Sequence, residues 1–162
     1  MFMNKFERAD LNFKPIGFVH SPYKKREDIP PRKNTGPAGS EDATGSVEVL
    51  EEYMDGLKDL EGFSHIILIF AFHLSQDHGN LFAHPPHNGK KRGVFATRSP
   101  HRPNPIGMTV VRLLKIEKNI ISVSGIDMLE GTPVLDIKPY TLRDRKNDIR
   151  LGWLENFTPE KK

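Results

Sequence analysis

Apolar and polar positions alternate in short runs along most of the chain, the period-two rhythm of strands that turn one face to a core. Residues 13–20, with Ile16, Phe18 and Val19 apolar, predict a first strand that ends at Ser21 and Pro22. A short strand is expected at 45–49. The most apolar run, SHIILIFAF at 64–72, predicts a buried central strand. Further strands are expected at 93–97, 108–117, 120–126 and 133–140, with Lys118 and Asn119 as a hairpin turn between two of them. Only one segment has helical spacing: Leu50, Tyr53, Met54, Leu57 and Leu60 recur through a charged stretch that Gly56 weakens and Gly62 stops. Short strands against one clear helix predict a mainly β domain, an antiparallel sheet or barrel with long loops. Too few helices are present to cover both faces of a parallel sheet.

Two long polar loops interrupt this rhythm, at 23–42 and 73–92. The first holds Pro30, Pro31, Gly36, Pro37 and Gly39 among Lys24, Lys25, Arg26, Arg32 and Lys33. A loop of that length is uncommon in a compact domain unless it has a function. Residues 98–107, RSPHRPNPIG, are the densest chemical stretch. Each proline there fixes its own φ and pushes the preceding residue, Ser99, Arg102 or Asn104, toward an extended shape. The spacing fits equally a rigid connector and a stiff loop presenting polar side chains.

A length of 162 residues suits one domain with one core. The absence of cysteine excludes disulfides, thiolate metal sites and a cysteine nucleophile. The longest apolar run is far too short to cross a bilayer and no signal segment opens the chain, so a soluble, cytoplasmic protein is expected. Net charge is only +3, but it is segregated. Residues 78–116 contain no acid and seven bases, whereas residues 41–61 carry eight acids and one lysine. A basic middle of this kind suits a polyanion such as nucleic acid, beside the ordinary meaning of a solvated face.

Known signatures are mostly missing. None of the thirteen glycines forms a dinucleotide or P-loop fingerprint. His84 and His87 are separated by two prolines, which gives their rings no reason to converge on a metal, and no metal is expected. Ser99, His101 and Asp127 lack the elbow of a hydrolase. Asp136, Lys138 and Tyr140 alternate with Leu135, Ile137 and Pro139 and so share one strand face, either a pocket wall or an outer face with an ordinary Asp–Lys pair.

GVFATRSPHRPNPIGMT (93–109) followed by GIDMLEGTPVLDIKPY (125–140), with IGFVHSPYK (16–24) and LEGFSHIILIFAFH (60–73), resembles the TsaA-like / TrmO family of S-adenosylmethionine-dependent tRNA methyltransferases. The resemblance covers most of residues 14–140 and implies a small antiparallel β-barrel, usually a homodimer, outside the Rossmann-type methyltransferase folds. It implies methyl transfer from S-adenosyl-L-methionine to the exocyclic amine (N6) of threonylcarbamoyladenosine at position 37, beside the tRNA anticodon. The cofactor would be held by Arg32, Lys33 and Asn34, by Phe72, His73 and Leu74, by Arg98 with Met108, and by Asp127, Met128, Leu129 and Glu130.

Within that expectation Arg98 suits the methionine carboxylate, and Asp127 or Glu130 suits the ribose hydroxyls or the ammonium. Asp136 or Asn104 would accept the proton of the amine, with Lys138 and Tyr140 on the same strand face as Asp136. Lys90, Lys91, Arg92 and Arg102, with the 24–33 cluster, would contact phosphates of the anticodon loop. Longer family members continue into a further C-terminal domain; here residues 1–140 form the expected barrel, and 141–162 a tail whose Leu151, Trp153, Leu154 and Phe157 suit docking or dimerisation. The other reading of the same motifs is a non-catalytic S-adenosylmethionine-binding sensor or interaction module.

Overall fold

Valine and isoleucine at every second position give a strand one side made for burial, and that side lines the inside of a barrel. The computed structural model describes residues 11–30, 43–76, 79–86 and 89–157. Its strands are β1 (Gly17–His20), β2 (Thr44–Val49), β3 (His65–Ala71), β4 (Phe82–Ala83), β5 (Arg92–Gly93), β6 (Ile106–Glu117), β7 (Ile120–Ser124) and β8 (Pro133–Pro139). Six of them close in the order β1-β2-β7-β6-β3-β8, every pair antiparallel, while β4 and β5 form a separate two-stranded ribbon.

Val19, Val47, Val49, Ile66, Leu68, Phe70, Val111, Ile121, Val123 and Val134 fill the interior. Their neighbours in sequence point outward, as in β3, where Ile66, Leu68 and Phe70 are buried and Ile67, Ile69 and Ala71 half-buried. The central-strand expectation for 64–72 is thus met with one face fully enclosed. The hairpin turn at Lys118 and Asn119 is also met, Lys118 taking the positive φ of 54° that a tight turn needs.

Two expected elements take other forms. The segment after β2 is helical, but as short 3-10 turns at Glu51–Leu57 and Leu60–Gly62. Asp59, in the left-handed region, separates them. Leu57 enters the core with Tyr53 and Leu60 packed behind it, while Met54 faces out. The segment 93–97, expected as a strand, pairs only through Arg92 and Gly93 and then turns at Val94–Ala96. Thr97 is the cause: its amide and its hydroxyl both donate to the Val94 carbonyl, at 3.0 and 2.8 Å, and this local closure outcompetes a ladder.

The register defines two ends. At one, β1 and β3 finish and β6 and β8 begin, with Phe70 opposite both Gly107 and Val134. Ile126 and Met128, both buried, turn in from the β7–β8 connection. At the other end the 3-10 turns after β2 cover the interior.

Candidate functional site

The first end of the barrel, called the mouth below, gathers most of the residues that sequence reasoning singled out. As the chain leaves β3, the Phe72 amide donates to the Pro105 carbonyl at 2.7 Å, and the Ile106 amide to that of Asn104 at 2.7 Å. Ser75 Oγ donates to the Pro100 carbonyl at 3.2 Å and lies 3.1 Å from His101 Nδ1. Residues 72–75 and 100–106 are therefore one stitched unit. Arg102 braces it from within, Nη1 donating to the carbonyls of Thr97 and Ser99 at 3.2 and 3.4 Å. Arg98 lies along β6, Nη2 donating to the Met108 carbonyl at 2.7 Å.

Beside this unit stands the turn that enters β8. Its backbone is tied to the β1 strand and the loop after it, with Gly131 donating to the Val19 carbonyl and Glu130 to that of Tyr23, both at 2.8 Å. The Glu130 side chain completes the tie: Oε2 accepts the Ser21 amide at 2.6 Å and Oε1 faces His20 Nδ1 at 3.1 Å. The other ring nitrogen of His20 meets Glu48 Oε2 at 2.9 Å. Glu48 and then Glu130 hold the imidazole above its ordinary value of 6.5. The Ser21 amide, followed by His20, holds Glu130 below its ordinary 4.5. Sequence reasoning missed His20 and Glu48. Their signal is faint, an outward histidine and an outward acid on strands that pair, 28 positions apart.

Several expected roles are thereby distributed. The Glu130 carboxylate faces the β1 loop, and the Met128 side chain is buried in the core, so both leave chiefly backbone to a ligand. Asp127 and Leu129 are half-buried on the same turn, and His73 and Leu74 are exposed beside it. Met108, whose carbonyl the Arg98 guanidinium holds, is 51% exposed and Leu74 62%, so both segments carry uncovered apolar surface. Arg32, Lys33 and Asn34 lie outside the described residues.

β8 runs away from the mouth. Asp136, Lys138 and Tyr140 do share one face, opposite Ile69, Ile67 and His65 of β3, and that face is the outside of the barrel. Lys138 Nζ pairs with Asp136 Oδ2 at 2.6 Å. Tyr140 lies at the far end of β3 from Phe72, so the structure does not bring it beside the stitched loop.

Lys90 and Lys91 are exposed, Lys91 resting its ammonium 4.0 Å from the centre of the Phe82 ring. Arg92 is half-buried with its guanidinium 5.0 Å from the Trp153 ring. Trp153 in turn donates from Nε1 to the Ala96 carbonyl at 2.8 Å, which docks the tail on the segment just before Arg98. Among the described residues no helix is long and apolar enough to cross a membrane.

This arrangement offers an arginine for a carboxylate, half-buried acid and backbone groups for hydroxyls or an amine, and exposed apolar side chains for a flat ring or thioether. The donor set fits S-adenosyl-L-methionine. A family model described as the tRNA-methyltransferase O N-terminal domain matches residues 18–144. A Pyrococcus abyssi protein named as a probable S-adenosyl-L-methionine-binding protein is 48% identical over 144 residues, covering 88% of this chain and 76% of that protein. The rat tRNA (adenine(37)-N6)-methyltransferase is 41% identical over 137 residues, covering 83% of this chain and 32% of that enzyme. A crystal structure of TrmO superposes with a TM-score of 0.75 at 39% identity, covering 91% of this chain and 64% of that one. The chain therefore spans less than two thirds of that TrmO chain and about a third of the rat enzyme. With a match that takes in well over half of its residues, the protein belongs to the tRNA-methyltransferase O N-terminal domain family.

Proposed function

We propose that the protein transfers a methyl group from S-adenosyl-L-methionine to the N6 amine of an adenosine in tRNA, namely threonylcarbamoyladenosine at position 37 beside the anticodon. It would do so as a cytoplasmic homodimer. The observation that carries this reading is the convergence, at one barrel mouth, of the loop bearing Arg98 and Asn104, the β3 exit at Phe72 and the turn at Asp127 and Glu130. The relatives' names supply the chemical class.

Bound there, the sulfonium supplies a methyl already activated for transfer, which leaves the protein the tasks of alignment and exclusion of water. Arg98 pairs its planar fork with the methionine carboxylate. Asp127 accepts hydrogen bonds from the ribose hydroxyls or the ammonium. As the amine takes the methyl, its proton would leave toward an acceptor supplied by this chain. Asn104, on the stitched loop, takes the N–H hydrogen bond. Asp136, held by Lys138 of the same strand, is the second acceptor. Lys90 and Lys91 meet phosphates, and Arg102 keeps the loop rigid so that little ordering is required when RNA arrives.

The test is transfer of labelled methyl from S-adenosyl-L-methionine to total tRNA, followed by nucleoside analysis. Label in an N6-methylated threonylcarbamoyladenosine is the expected result. Tight cofactor binding without incorporation would return the protein to the sensor reading, with which the name of the Pyrococcus relative is equally compatible.

A further inference from the structure

At the end of β3 opposite the mouth, four strands place a row of side chains on the outside of the barrel. Arg112 of β6 stands opposite both Ser124 of β7 and His65 of β3. Tyr140, just past β8, donates its amide to the His65 carbonyl at 3.1 Å and so extends the row by one strand. Residues directly opposite on antiparallel strands have side chains in reach of one another. The His65 and Tyr140 rings meet edge-on, centroids 6.3 Å apart at 62°. Ser64 Oγ, 2.9 Å from His65 Nδ1, orients the imidazole.

Next to this row is a cleft of about 370 Å³ lined by Phe63, Ser64, His65, Tyr140, Leu142 and Arg145, with Thr141 at its edge. The turn at Leu142–Asp144 builds one wall. Asp144 receives the amide and the hydroxyl of Thr141 at 2.8 and 2.9 Å, so its carboxylate closes the turn. Among the described residues no acid lies within ion-pair distance of Arg145 or Arg112. The cleft therefore combines ring faces, the hydroxyls of Ser64, Tyr140 and Thr141, and the Arg145 guanidinium, with that of Arg112 beside it; neither charge is neutralised by a neighbouring carboxylate among the described residues. An RNA single strand offers bases that stack on rings, phosphates that pair with arginine and 2′-hydroxyls that bond to serine and threonine.

We propose that this outer cleft, formed by Phe63, His65, Tyr140 and Arg145 with Arg112 beside it, holds an unpaired nucleotide of the RNA strand flanking the methylated base. The base stacks on Tyr140 and Phe63, and Arg145 and Arg112 meet the adjoining phosphates. The inference rests on the tRNA substrate proposed above. β3 separates the two places by about 20 Å at 3.3 Å per residue, so the cleft grips RNA and takes no part in methyl transfer. It supplies a second point of attachment besides the basic loop at 90–92.

The experiment measures binding of total tRNA to the full chain across a salt series, for the parent and for Tyr140→Ala, Tyr140→Phe and Arg145→Ala, alongside calorimetry with S-adenosyl-L-methionine. The expected result is a dissociation constant raised roughly ten-fold by Tyr140→Ala and restored by Tyr140→Phe, since phenylalanine still stacks. Arg145→Ala should lower the log–log salt slope by about one. Cofactor affinity should stay at the parent value in all three. Parent-like RNA binding and salt slope in both Tyr140→Ala and Arg145→Ala would overturn the cleft while leaving the substrate intact. A parent that binds no tRNA would overturn the cleft and the substrate reading together. Loss of cofactor and RNA binding together in Tyr140→Ala, with Arg145→Ala unchanged, would mark a purely structural tyrosine and also overturn the proposal.

Discussion

Phe70 and Gly107 face each other across the β3–β6 seam, and the Phe70 ring occupies the space that a side chain at position 107 would need. Phe72 packs edge-on against the same ring, centroids 5.2 Å apart at 77°. The glycine that ends the Pro-rich loop is thus a seat for two aromatic rings, and it fixes how the loop meets the barrel. Gly107→Ala should overpack this site and destabilise the fold by about 1–3 kcal/mol. Thermal unfolding checks this, and an unchanged midpoint would contradict the packing argument.

The clasp of His20 with Glu48 and Glu130 makes stability pH-dependent in a stated direction. The folded His20 value lies above 6.5, so its contribution is complete below that pH and is lost as pH rises through the folded value. Glu130 lies below 4.5, so its contribution is complete above that pH and is lost as pH falls through the lowered value. The clasp is fully formed in the mildly acidic window between. Because the His20 ring is about half exposed the effect is small. His20→Gln should flatten the decline in melting temperature between about pH 6 and pH 9; an identical decline in both proteins would dismiss the clasp.

Arg98 holds the Met108 carbonyl with one nitrogen, which leaves the rest of the fork for a carboxylate. Arg98→Ala should weaken S-adenosyl-L-methionine binding by roughly ten- to a hundred-fold. Arg98→Lys should recover little of it, because an ammonium cannot bridge the Met108 carbonyl and a carboxylate with the same planar geometry. Calorimetry decides, and full recovery with lysine would mean that charge alone is required.

For the acceptor, Asn104→Ala and Asp136→Asn separate the two assignments. Loss of an oriented acceptor should lower kcat by roughly a hundred-fold with little change in cofactor affinity. Near-normal turnover in either variant removes that residue from the role.

Reversing Lys90 and Lys91 to glutamate should weaken tRNA binding and make its log–log salt dependence shallower by about two. An unchanged slope would show that the basic middle of the chain does not meet phosphate.

The barrel strands are legible in the sequence because alternation is a local property. Val47 and Val49, or Ile66, Leu68 and Phe70, announce their inward face without reference to any partner. The form of the segment after β2 is less legible. Leu50, Tyr53, Leu57 and Leu60 recur at spacings that both an α-helix and a 3-10 turn can satisfy, and only the left-handed Asp59 and the exposed Met54 distinguish them. Thr97 similarly turns an apolar run that reads as a strand into a single 3-10 turn.

The site is legible where its residues are adjacent in sequence and obscure where they are not. The loop at 98–107 declares itself through its prolines. The clasp does not, because Glu130 lies 110 residues from His20 and their meeting depends on how the barrel closes. Met128 shows the converse: it sits within a motif-bearing turn, yet its side chain points into the core. The outward placement of Asp136, Lys138 and Tyr140 depends on which face of β8 the barrel encloses, and alternation alone leaves that choice open.

Each of the six barrel strands has a hydrogen-bonded neighbour on both sides. Among the described residues, a sheet closed in this way leaves strand edge exposed only where a partner strand ends, as on β8 beyond Val134 on its β1 side. Partners of the barrel, whether a second protomer or a nucleic acid, therefore meet chiefly its outward side chains and loops. A substitution on the outer face could then change the choice of partner without disturbing the ladder that holds the fold.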